Sequence, residues 1–155
     1  MAITAVSIRD TLTSRIKAIS VGSMTTGAGA PRDSFRVYVG GHHILDDEPP
    51  AIVDRAFWVQ IGESEMAGMP YTGSEQEWMT TFRVIVLYQP IANHELQEER
   101  VRTDALLLVN ALRKEVSNEV SVNPTRIPEP ERGATYWRLV LEGPGQHAET
   151  DWSGT

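Results

Sequence analysis

The chain has no cysteine among its 155 residues, which rules out disulfides and thiolate chemistry. The absence fits a reducing compartment. No apolar run approaches the roughly 18 residues of a membrane span. The first residues, Met1-Ala2-Ile3-Thr4-Ala5-Val6, offer no basic region and no apolar signal core, so no targeting leader is expected. Positive charge is scarce as well: 14 Lys and Arg stand against 21 Asp and Glu, a formal charge of −7. Free adhesion to nucleic acid needs a basic face and is disfavoured. A chain of this length buries about 68–70% of its unfolded surface, enough for a core without staples. One domain is expected over residues 1–142, with a flexible polar tail over 143–155.

Signatures of catalysis are equally thin. Gly27-Ala28-Gly29 has Arg32 where a dinucleotide loop needs its third glycine. A Gly-Lys-Ser/Thr phosphate loop is missing. Gly62-Glu63-Ser64-Glu65-Met66 opens like a nucleophile elbow, but Met66 replaces the closing glycine. His94-Glu95-Leu96-Gln97-Glu98 ends in Glu98 where a zincin helix has its second histidine, and reads as a solvated helix start. His42, His43, Asp46, Asp47 and Glu48 have the donor atoms for a metal. The usual ligand spacings are missing, so this stretch reads as a solvated acidic turn. The sequence calls for no cofactor, no metal and no catalytic pair.

What is present centres on residues 78–116. Trp78 to Tyr88 is rich in aromatic and β-branched residues and stops at Gln89-Pro90, which predicts one long strand. Both of its faces are largely apolar, so both should be covered. Residues 95–116 predict a helix. Asn93 is its N-cap, the glutamates come early, Arg113 and Lys114 come late, and the stripe is Leu96, Val101, Ala105, Leu108, Leu112 and Val116.

Elsewhere, Ala5, Ile8, Leu12, Ile16 and Ile19 predict a helix over 5–19. Residues 22–34 read as a glycine-rich loop. Short strands are expected at 35–39, 55–61 and around 120–122, with a last strand at 134–142. Residues 62–77 form a long loop or an extended hairpin arm carrying four glutamates, Glu63, Glu65, Glu75 and Glu77. Trp152 stands alone in the polar tail and is either disordered or an anchor for docking on a neighbour. Trp58, Trp78 and Trp137 read as core or inter-subunit packing residues. The order α-β-β-β-α-β-β predicts an α+β fold, a mainly antiparallel sheet with two helices packed on it.

The stretches Ile8-Arg9-Asp10-Thr11-Leu12, Thr81-Phe82-Arg83-Val84-Ile85-Val86, Val101-Arg102-Thr103-Asp104-Ala105-Leu106 and Tyr136-Trp137-Arg138-Leu139-Val140-Leu141 occur in an order that resembles the tail-terminator proteins of long-tailed bacteriophages. The resemblance spans most of residues 5–142 by order and character. It implies a virion protein of the tail and neck, present in the host cytoplasm during assembly. It implies a hexameric ring that caps the tail tube, meets the head connector and passes DNA through its lumen without specific binding. An acidic lumen would repel phosphate and let the genome slide. The 62–77 glutamates are the candidates for the lumen or the tube-facing rim. Edge pairing by the 78–88 and 135–142 strands is the expected contact between copies. Two rivals stay open: another neck, connector or tube component, and a small cytoplasmic enzyme or ligand-binding dimer using residues 42–48.

Overall fold

The computed structural model describes residues 4–19, 34–49, 53–67, 75–113 and 122–150, with backbone alone at 75–76 and 148–150. Thr4 starts helix α1 (Ala5–Lys17). Its hydroxyl accepts from the Ser7 amide at 3.1 Å, and the Ser7 hydroxyl accepts from the Thr4 amide at 2.9 Å. This capping box satisfies two otherwise orphaned donors. The face holding Ala5, Ile8, Leu12 and Ile16 is buried.

Strands follow at β1 (Arg36–Val37), β2 (Ala56–Met66) and β3 (Glu75–Tyr88). A 3-10 turn (Gly41–Leu45) lies between β1 and β2. Helix α2 (His94–Arg113), β4 (Glu131–Arg132) and β5 (Trp137–Thr150) complete the chain. Asn93 caps α2 as expected, its Oδ1 accepting from the Leu96 amide at 3.1 Å. The sheet order is β1-β2-β3-β5-β4. β1 runs parallel to β2, and the other pairs are antiparallel. The α+β architecture is the one the sequence predicts.

Both helices pack on one sheet face. Phe82, Val84, Val86 and Tyr88 of β3 meet Ile8, Leu12, Val101, Ala105 and Leu108 there. Ile85 and Leu87 point to the other face, where Tyr38 and Ile44 cover them. The two-sided burial read from residues 78–88 therefore holds, and β3 is the central strand. That position removes the 78–88 strand from the expected edge contact. β3 has β2 on one side and β5 on the other, so its backbone groups are already spent.

Other boundaries move. Residues 62–66 and 75–77 belong to strands, so the long loop is an extended hairpin whose tip, 68–74, lies outside the described residues. β5 runs to Thr150, so residues 143–150 are sheet and not the flexible polar tail expected to begin at 143, while 151–155 lie outside the described residues. Position 152 and the glycine-rich stretch 22–33 also lie outside the described residues. Around 120–122 the described part is one bridge, Val122 to Gly145.

The bridge explains a glycine pair. Residues 122–124 cross β5 so closely that a Cβ at Gly143 would sit 2.7 Å from the Pro124 nitrogen, and only glycine leaves room for backbone at that distance. A Cβ at Gly145 would meet side chains, the Phe82 ring at 3.0 Å and a Val122 methyl at 3.2 Å.

Candidate functional site

The sheet outgrows its helices. The sheet residues of the main core end near Ile61, Phe82 and Leu141, and all three strands continue. The 14 residues of β3 span about 46 Å. The 20 residues of α2 span about 30 Å. The continuation is a three-stranded arm made of 62–66, 75–81 and 143–150.

A β-bulge opens the arm. Ile61 pairs with Phe82 and Ser64 pairs with Thr80, so β2 carries one extra residue across from Thr81. Gly62 sits there because a Cβ would lie 2.9 Å from the Thr81 carbonyl oxygen. Beyond the bulge Ser64, Thr80 and His147 share the helix-side face. The Ser64 and Thr80 hydroxyls are 2.7 Å apart, and Thr80 Oγ1 is 2.7 Å from His147 Nε2. Thr80 and His147 are buried. Thr80 stands between Ser64 and the imidazole, so this is a cross-strand ladder and not a serine activated by a base.

The glutamates lie on this arm. Glu63, in the bulge, and Glu65 are exposed. Glu65 pairs with Met79, Glu77 with Ala148, and position 75 with Thr150. Positions 65, 75 and 77 therefore share the face turned away from the helices. Glu77 is half-buried and accepts from Gln146 Nε2 at 3.3 Å. Three of the four hairpin glutamates thus share one face, while position 149, paired with Gln76, falls on the other.

Residues 42–48 form no comparable site. His42, His43, Asp46, Asp47 and Glu48 are exposed, and His43 Nδ1 meets Asp46 Oδ2 at 2.9 Å. Among the described residues no group of three His, Asp or Glu side chains is placed to hold a metal. His94 is exposed and its ring lies edge-on to Trp137. Trp137 is a core residue, and Trp58 and Trp78 are half-buried.

A buried ionic cluster escapes the sequence reading. Arg55 Nε and Nη2 donate to Asp104 at 2.6 and 2.9 Å. Arg100 Nη1 and Nη2 donate to Asp54 at 2.7 and 2.8 Å. Gln97 accepts from Arg100, and the Tyr88 hydroxyl donates to Asp104 at 2.9 Å. Adjacent acid and base at 54–55 thus cross-link to base and acid at 100 and 104, one helical turn apart. Arg55 has a left-handed φ of 59°, a conformation that costs a non-glycine residue on the order of 1–3 kcal/mol. Burial pushes the Asp104 carboxyl up from its ordinary value, and the Arg55 guanidinium offsets part of that. Burial, with Asp104 alongside, holds the Tyr88 phenol well above its ordinary range. With both arginines held bidentate and α2 pinned to the turn before β2, the arrangement is a structural clamp.

Two clefts of about 420 Å³ flank residues 125–132, one beside β5 and one beside α2. Glu and Arg mix on the rims of both. No protein-family model and no curated protein matches the chain.

Proposed function

We propose that this protein is a structural component of a bacteriophage tail, a terminator that assembles as a hexameric ring on the tube end. Its partners are further copies of itself, the tail tube protein and the head connector, with DNA crossing the lumen unbound. The observation that carries the reading is the arm. It stands beyond the helical core and presents Glu63, Glu65 and Glu77 from paired strands. A ribbon held by a β3–β5 ladder from 75 to 88 is stiff enough to hold charge at a fixed place. An acidic surface in a ring lumen repels phosphate and lowers the chance that DNA sticks in passage.

The element order also supports it, since helix, strands, hairpin, strand into helix and closing strand follow one another as the resemblance implies. Ring closure needs two different surfaces on each copy. β3 is not one of them, so the contact must use other elements.

The test is negative-stain microscopy and mass photometry of the purified chain, alone and with tail tubes. Six-fold rings, free or on tube ends, are expected. A dimer at every concentration that ignores tubes would overturn the reading.

A further inference from the structure

We propose that the outer edge of β2 is a docking site for an extended, cationic peptide segment of a partner protein, which adds to the sheet as a further strand. The inference goes beyond the ring reading and stands or falls separately from it.

β1 covers only the start of this edge. It pairs with Ala56 and Phe57, and the Tyr38 amide donates to the Phe57 carbonyl at 2.7 Å. Backbone groups alternate along a strand, so those of Val59 and Ile61 point the same way as Phe57. Past the bulge the Ala67 amide donates toward β3, to Glu77 at 2.9 Å, which turns Ser64 and Met66 outward. All four pair with β3 on the inner side, and among the described residues no strand pairs with them on the outer side. Natural edges are blunted by charged side chains, Pro or bulges. From Ala56 to Ile61 β2 has none of these, and the bulge and the glutamates come only beyond Ile61.

The side chains around the edge specify the occupant. On the helix side Val59 borders a small groove of about 180 Å³ that is also lined by Val37 and Phe57, with Arg9, Asp10 and Thr13 of α1 across from them. A strand laid beside β2 would place apolar side chains there. Glu63 and Glu65 are exposed near the distal end, and β2 holds no basic residue to balance them. A second copy pairing β2 with β2 antiparallel about Ser64 would set Glu63 against Glu65, which is destabilising. The matching partner alternates aliphatic residues with Lys or Arg. Main-chain hydrogen bonds then give affinity, and alternate side chains give specificity.

The experiment uses the full chain and a short synthetic peptide alternating Lys and Val. Amide hydrogen exchange at Val59 and Ile61 should slow when the peptide is added. A peptide of the same sequence N-methylated at alternate residues should not protect them. Glu63→Lys with Glu65→Lys should weaken binding by at least about tenfold. An alternating Glu and Val peptide should not bind. Unchanged exchange at Val59 and Ile61, equal binding of the N-methylated peptide, or amides already protected by a second copy before peptide is added would each overturn the proposal. None of these outcomes depends on whether six-fold rings form.

Discussion

Arg100 shows what a buried charge costs when its partner goes. Its guanidinium is bidentate on Asp54 and stacks over the Tyr88 ring at 5.0 Å. Arg100→Met would leave Asp54 buried without its cation, a loss of about 3–5 kcal/mol. Urea unfolding should show that drop in midpoint, and adding Asp54→Leu should recover part of it. Tyr88 gives a pH signature. Its folded pKa lies well above the ordinary 10.0, so the unfolded chain loses its proton first. Stability is therefore whole below about pH 10 and falls as pH rises above it, by about 1.4 kcal/mol per pH unit. Melting curves between pH 9 and 11 should show this slope, and Tyr88→Phe should flatten it. The clamp was hidden in the sequence because Asp54, Arg55, Arg100 and Asp104 look like ordinary surface charges. The signal that could have found it is the match of adjacent charges on a turn with charges one turn apart on a helix.

At the scale of elements, apolar pattern decided what could be read. β3 and α2 were legible because one is a run of β-branched and aromatic residues and the other has a broad apolar stripe. The stripe was incomplete, since Gln97, Arg100 and Asp104 are buried beside Val101 and Leu108. The arm was only half legible. Residues 62–66 and 143–147 bury few apolar side chains, so no period of two marks them, and their strand form comes from backbone pairing with β3. Gly143-Pro144-Gly145 read as a tail because glycine and proline normally end strands. Here the glycines make way for residues 122–124, and the Pro144 carbonyl accepts from the Asn123 amide on the outer side. Gly143→Ala should push that crossing segment away and cost about 1–3 kcal/mol. Faster exchange of the Val122 amide, which bonds the Leu112 carbonyl at 3.0 Å, would report it.

At the scale of the whole molecule, the arm's acid is tested by neutralisation. Replacing Glu63, Glu65, Glu75 and Glu77 with Gln together should leave the melting temperature nearly unchanged, because Glu63 and Glu65 are exposed and the Gln146 bond to Glu77 is long at 3.3 Å. In a phage assembled with that chain, DNA ejection should slow or tail joining should change. Normal infectivity with normal tail length would count against the arm as the working surface.

The central place of β3 also sets an order of events during synthesis. Its β2 partner precedes it, but its β5 partner ends at Thr150, so a ribosome-bound chain lacks one full neighbour of its central strand until that residue emerges. Over that interval the Glu75–Tyr88 edge is an open template for pairing with other nascent chains. A chain ending at Glu142 keeps the pairs from Arg83 to Tyr88 and loses those from Glu75 to Phe82. It should fold its helical half and precipitate through the bared arm, while the full chain stays in solution at the same concentration. Centrifugation of the two side by side would show whether the last strand protects the sheet as well as extending it.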